Sequence, residues 1–334
     1  GHLQKILQEP LFSMNKLFQT IKNYSNHYTL IPDNATIIVG LSGGPDSVFL
    51  LLYLTSIQKE KNLRLIAAHL DHAWRDDSKK DEQFCATLAK KLKIDYLSET
   101  ASNLAATEKF DGSKEEFGRR LRRKFFESVA KKHSADAIAL AHHLDDQEET
   151  FFIRLIRGTS LAGLSCMKPK AGLYIRPLLE IRKEDIVAWL DTNSITYCID
   201  PTNIAQNFLR NRIRSQVIPA LRECDARFDH NFLNTLLKLQ DADRLLNELT
   251  KTQLNTIQED NDAINLKQFF TFDPYLQKRI IMAWLIQEQA PFTPQESFLN
   301  EILRFLEQPG SKTHQMHETW SIKKEKEVAW IIKN

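Results

Sequence analysis

The chain has 334 residues, of which 42% are hydrophobic and 26% charged, and its formal net charge is +2. That length predicts two domains, and the composition is that of an ordinary globular protein expected in the cytoplasm. No run approaches the roughly 18 apolar residues of a membrane span, the N-terminus lacks the order of a signal peptide, and the four cysteines form no CxxC pair, which excludes membrane proteins, disulfide frameworks and zinc or iron-sulfur ribbons.

In chain order, residues 1–34 read as an N-terminal helical extension, with Gly1-His2 set aside as a tag remnant. Residues 36–41 (TIIVGL) are a β-branched apolar run that predicts a strand, followed by a Gly/Pro/Ser turn and a buried helix over 48–54. The pattern returns as a strand over 63–69, a helix over 81–92, a strand over 94–97, a basic amphipathic helix over 115–132 and a strand over 135–141. Such alternation implies an α/β fold with a doubly wound parallel sheet, expected over 35–222. Ligands in these sheets bind beyond the carboxyl ends of the strands, where the unusual sequences 42–47, 69–75 and 142–150 sit. Past residue 225 the strand signals fade, and a smaller, mostly helical domain is expected over 223–334. Within it, Thr293-Pro294-Gln295-Glu296 reads as a capping box with proline at the first helical position, and 320–332 as a short hairpin.

Ser42-Gly43-Gly44-Pro45-Asp46-Ser47 joins a strand to a helix, and its glycines let backbone amides approach an anion. The bland reading is a tight turn. Against it, Ser42 and Ser47 add hydroxyl donors, and Asp46 sets a carboxylate beside the expected phosphate, which calls for a bridging cation such as Mg²⁺. The loop lacks the lysine of a GxxxxGK P-loop and the GxGxxG of a dinucleotide fold. SGGxDS after a strand instead resembles the pyrophosphate loop of N-type ATP pyrophosphatases, which attack ATP at its α-phosphate.

His142-His143-Leu144-Asp145-Asp146-Gln147-Glu148-Glu149-Thr150 follows the fourth strand and opens a helix. Asp145 with Glu148 makes a capping-box pattern, a structural use for two of the acids. Asp146 and Glu149 are three apart and share a face, so they suit a metal or an ammonium group. His142 and His143, with His69 and His72, suggest zinc, but HExxH spacing is absent and contacts to adenine or phosphate fit them better. Arg119, Arg120, Arg122, Arg123 and Lys124 form a run whose plain reading is a solvated helix face and whose functional reading is a phosphate-binding surface.

SGGPDS at 42–47, AHLDHAWR at 68–75, AHHLDDQEET at 141–150, RGTSLAGLSCM at 157–167, RPLL at 176–179, DPTN at 200–203 and RNRIR at 210–214 occur together in one order. That set resembles the tRNA(Ile)-lysidine synthetases of the PP-loop superfamily, strongly over about 35–220 and more weakly beyond. The resemblance implies a cytoplasmic ligase that adenylates cytidine 34 of a CAU-anticodon isoleucine tRNA at O2, converting ATP to AMP and pyrophosphate, after which free L-lysine displaces AMP from C2. It implies catalytic roles for Asp46, Asp146 and Glu149. ATP would be held by Ser42, Gly43, Gly44, Pro45, Asp46, Ser47, His69 and His143, and lysine by Asp146, Glu149, Arg210 and Arg214. Arg119, Arg120, Arg122, Arg123, Lys124 and Arg212 would contact RNA, Asp46 and Asp146 would hold Mg²⁺, and 223–334 would be a helical tRNA-binding domain. A second copy of the chain is a candidate partner; a membrane is not.

The sequence departs from the family pattern at Asp71, where asparagine is expected, and at Ser160 and Cys166, where glycine is common. Longer members carry a further C-terminal domain. The rival readings are a PP-loop tRNA thiolation enzyme, which is expected to carry paired cysteines, a small-molecule amidating synthetase, and a noncatalytic RNA-binding module that would leave Asp46 without a purpose.

Overall fold

A computed structural model of the protein describes residues 16–71, 78–105, 114–199, 208–259, 262–292 and 295–333. The DPTN segment, His72, residues 73–75, Gly1-His2 and the Thr293-Pro294 pair lie outside them. Besides two short helical turns, Ala101–Ala105 and Leu161–Leu164, the elements in chain order are α1 (Lys16–His27), β1 (Thr36–Gly40), α2 (Pro45–Ile57), β2 (Arg64–Asp71), α3 (Ser78–Leu92), β3 (Asp95–Thr100), α4 (Lys114–Lys132), β4 (Ala137–Ala139), α5 (Leu144–Arg157), β5 (Lys170–Ala171), β6 (Tyr174–Ile175), α6 (Lys183–Thr192), α7 (Phe208–Arg212) and α8 (Ile218–Cys224). A π-helical turn, Ile213–Val217, joins α7 to α8. Pro219, just inside α8, lacks the N–H that would continue a regular helix there.

The sheet order is β3-β2-β1-β4-β6-β5, with every pairing parallel except that of β5 with β6. This is the expected α/β doubly wound architecture; the β5–β6 hairpin, only two residues per strand, left no periodic signal to read. Strand order reverses between β1 and β4. Their carboxyl ends therefore border a crevice, the place where open α/β sheets bind ligands.

Alternate residues of β1 serve two layers. Ile37 and Val39 pack with α1, α2, α3 and α6, whereas Ile38 packs with Leu121, Phe125 and Phe126 of α4. Helix α2 is buried from Ser47 to Leu54, so it has no solvent face and its apolar residues need no periodicity. Each large apolar side chain there contributes about 1.5–3 kcal/mol through burial, and one charge among residues 48–54 would break the layer.

The chain divides into two compact units, Gly1–Leu236 and Leu237–Asn334. The division falls within the long helix α9 (Phe228–Ile257) rather than at residue 222. The second unit contains α10 (Pro274–Gln287), α11 (Glu296–Glu307) and four strands, β7 (Ile264–Asn265), β8 (Lys312–His317), β9 (Trp320–Glu325) and β10 (Val328–Lys333), in the order β7-β10-β9-β8. The hairpin expected over 320–332 is thus part of an antiparallel sheet, and the unit is less helical than its sequence suggested. Helix α11 begins at Glu296 with Gln295 as its N-cap, so proline does not occupy its first position. Among the described residues no helix is long and apolar enough to cross a membrane.

Candidate active site

At the end of β1 the Ser42 amide donates to Ser47 Oγ (3.1 Å), Ser47 Oγ donates to the Gly44 carbonyl (3.0 Å), and the two hydroxyls lie 3.1 Å apart. The serines therefore close the loop upon itself. Gly43 has φ +87°, and a Cβ there would lie 3.2 Å from Cys198 Sγ and 3.3 Å from Cys85 Sγ. Gly44 has an ordinary φ of −70°, and a Cβ there would meet only Ser42 Oγ at 3.7 Å. The fold needs glycine at 43. At 44 glycine serves instead to keep the backbone open to an approaching ligand. Gly44 caps α2 and Pro45 occupies its first turn, so the helix presents its positive end there.

Two more helices bring their N-termini to this place. The Leu144 amide, opening α5, donates to the Ile181 carbonyl (2.8 Å) just before α6. The Lys183 amide, opening α6, donates to Asp145 Oδ2 (2.9 Å), and the Lys183 ammonium lies 3.1 Å from Asp46 Oδ2 in the first turn of α2. Helix α5 thus starts at Leu144 with His143 as N-cap, and Asp146 accepts the His143 amide at 3.0 Å. The capping role expected of Asp145 with Glu148 belongs to Asp146, because the buried Leu144 is drawn into the helix.

His143 is buried among three carboxylates. Its Nε2 lies 3.7 Å from Asp46 and 3.5 Å from Asp146, and its Nδ1 lies 3.5 Å from Asp145. Burial disfavours the charged imidazole, but these carboxylates prevail and raise its pKa. Burial likewise works against the Asp145 carboxylate, yet His143 and the Lys183 amide hold its pKa well below the usual range. His142, one residue earlier, is pushed down to about 4 by burial. His69 reaches the loop differently: its Nδ1 lies 2.9 Å from the Leu41 carbonyl, fastening β2 to the end of β1.

Glu149 lies against Arg214 (2.6 Å) and Arg210 (3.2 Å), with its side chain 1% exposed. Burial raises its pKa in spite of both guanidiniums. Asp146 and Arg210, together with Arg119, Arg122, His142 and Met167, line a cavity of about 240 Å³. Its wall carries both signs of charge. The basic run is therefore not one surface, since Arg119 and Arg122 line this cavity while Arg123 pairs with Glu127 (2.8 Å) and lies over the Tyr174 ring. Arg212 is exposed.

Several participants carried no sequence signal. Lys183 is one. Gln147 is another: it donates to the Met167 carbonyl (2.8 Å) and accepts from the Met167 amide (2.9 Å), clamping one wall of the cavity. Arg222 gathers Glu148 (2.9 Å) and Asp229 (2.8 Å) beneath α5, and burial pushes Glu148 up to about 8 against the pull of Arg222. Cys166 has φ +53°, the left-handed backbone that glycine adopts without strain, which accounts for the glycine often expected there; Ser160, with φ −77°, has no such need.

Residues 13–221 match the family model described as PP-loop domain. The chain is 33% identical over 305 residues to tRNA(Ile)-lysidine synthase of Bacillus subtilis (strain 168), covering 87% of this chain and 64% of that protein. It is 30% identical over 299 residues to the enzyme of the same name from Bacillus cereus, covering 86% of this chain and 63% of that protein. The chain thus spans a little under two thirds of the length of these curated relatives. Among solved structures, the U34-tRNA thiolase NcsA from Methanococcus maripaludis, with its 4Fe-4S cluster, superimposes with a TM-score of 0.59 at 20% identity, covering 68% of this chain and 80% of that chain, a likeness of fold alone.

Proposed function

The chain belongs to the PP-loop domain family, and on that premise we propose that it is a cytoplasmic, ATP-consuming enzyme that adenylates O2 of cytidine 34 in a CAU-anticodon isoleucine tRNA and joins free L-lysine to C2. The observation that carries this reading is the meeting of two kinds of subsite at one sheet crevice. An anion-binding loop at a helix N-terminus lies against Asp46, and Asp146 faces both that carboxylate's neighbour His143 and a cavity of mixed charge. The likeness to lysidine synthases over most of the chain supports a tRNA and lysine as the substrates.

In the first step cytidine O2 attacks the α-phosphorus, the bond to the β-phosphate oxygen breaks, and pyrophosphate leaves into the loop at 42–47. In the second, the lysine ε-amine attacks C2 after losing a proton, and AMP departs with O2. Because Glu149 is already matched by Arg210 and Arg214, Asp146 is the acid on the cavity wall assigned to an ammonium group, and Arg119 and Arg122, which line the same cavity, are assigned to the carboxylate. Arg120, Lys124 and Arg212 are assigned to the RNA backbone.

Asp46 and Asp146 fit Mg²⁺. Asp46 Oδ1 is buried without a hydrogen-bond partner among the described residues, and an ion held by one or two carboxylates together with substrate phosphates would ask no more of the protein than these two side chains. When bound, the ion would neutralise charge on the phosphates. Sulfur transfer to RNA is the second reading, favoured by the approach of Cys85 and Cys198 to Gly43. Burial, with Cys198 nearby, raises the Cys85 thiol far above its ordinary pKa, which makes it a poor nucleophile. Nucleotide chromatography after incubation with tRNA and lysine tests the adenylation: AMP and pyrophosphate are expected, and accumulation of ADP and phosphate contradicts it.

A further inference from the structure

The loop at 42–47 carries no lysine of its own, unlike a GxxxxGK P-loop, yet a pyrophosphate held there must lie beside the Asp46 carboxylate. The topology brings a cation to that place from 137 residues further along the chain, since Lys183 Nζ lies 3.1 Å from Asp46 Oδ2. We propose that Lys183 is a phosphate-contacting residue of the adenylation site, whose ammonium passes from Asp46 to the pyrophosphate portion of the nucleotide. The proposal rests on the adenylation reading and assigns to it a residue outside the glycine loop.

Three observations carry it. The root of the side chain is fixed, because the Lys183 amide donates to Asp145 Oδ2 at 2.9 Å and Lys183 opens α6. The side chain itself is 42% exposed, so the ammonium can leave Asp46 for an incoming anion without crossing packed core. Its surroundings are also rich in negative charge: Asp46, Asp145 and Asp146 all lie around His143, so an entering polyanion meets three carboxylates, one of which, Asp145, also lies 3.5 Å from Arg222. A lysine at this rim offsets that repulsion as a compact point charge, the use to which lysine is put in phosphate sites generally. The alternative is that Lys183 only neutralises Asp46. The two differ when Asp46 has no charge to neutralise.

Calorimetric titration of the full chain with inorganic pyrophosphate, with and without Mg²⁺, separates them. Lys183→Met is expected to weaken pyrophosphate binding by roughly 10- to 100-fold, the range open to a charge-assisted hydrogen bond, while Lys183→Arg retains most of it. In the Asp46→Asn background without Mg²⁺, Lys183→Met must weaken binding again by a similar factor. Unchanged affinity in either background overturns the contact, and so does a loss seen only where Asp46 is present. A melting temperature within about 2 °C of wild type shows that the variants fold, as expected for an exposed pair. Wild-type protein that binds neither pyrophosphate nor ATP would overturn the adenylation reading itself, a result distinct from an inert Lys183.

Discussion

Two places in the molecule, one in each unit, bury charge in opposite ways. In the second unit Arg279 donates to Asp243 Oδ1 (3.0 Å) and to Asn247 Oδ1 (2.9 Å), while Asn247 donates to Asp243 Oδ2 (3.0 Å). Lys324, also buried, donates to the Leu306 and Gln308 carbonyls at the end of α11. Those charges are used up by the fold. At the sheet crevice Asp46 keeps one buried oxygen without a protein partner among the described residues, and the His143 ring stands among three carboxylates none of which comes within 3.4 Å of its nitrogens. Loose, unfinished contacts of this kind are poor for stability and suited to a ligand that completes them.

An aspartate-to-alanine substitution made in each place tests that contrast. Asp46→Ala is expected to lower tRNA-dependent ATP–pyrophosphate exchange by about 100-fold or more. Thermal stability should stay nearly unchanged, because its pairing with Lys183 is partly exposed. Asp243→Ala should do the reverse, costing about 3–5 kcal/mol in chemical denaturation by stranding the Arg279 guanidinium, which is 11% exposed. Loss of stability in the first variant, or stability retained in the second, would dissolve the distinction.

A smaller effect tests the division of the basic helix. Neutralising Arg120 and Lys124 together should lower the slope of log K against log salt for tRNA binding by roughly two units. Neutralising Arg119 and Arg122, which line the cavity, should instead impair amino-acid use more than the salt slope. Equal slopes in the two double variants would return the run to a single RNA-facing surface.

The sheet was legible because its strands and α2 are apolar runs long enough to declare themselves, and the glycine loop because Gly43 and Pro45 mark a turn between two of them. Element ends were less legible: β2 continues to Asp71, since pairing with β3 to Thr100 outweighs the polar character of its last residue. In the second unit β9 was obscured by Lys323 and Lys324, of which Lys324 turns inward to cap α11, breaking the alternation that marks a strand. In the sequence, Glu149, Arg210 and Arg214 come together only through the family resemblance, as opposite ends of one lysine site, whereas the fold pairs Glu149 with both arginines. Lys183 was not legible, because an isolated lysine in a helix start has no local signature, and only the order of strands around β1 and β4 brings it to Asp46.

On the proposed function, one crevice activates a tRNA base with ATP and passes it to lysine. Mass spectrometry of isoleucine tRNA with a CAU anticodon, incubated with the protein, ATP, Mg²⁺ and each amino acid in turn, tests it most directly. The expected product is tRNA heavier by one lysine less water, at cytidine 34 and with lysine alone. A sulfur-bearing product, equal modification with arginine, or modification without any amino acid would contradict the account.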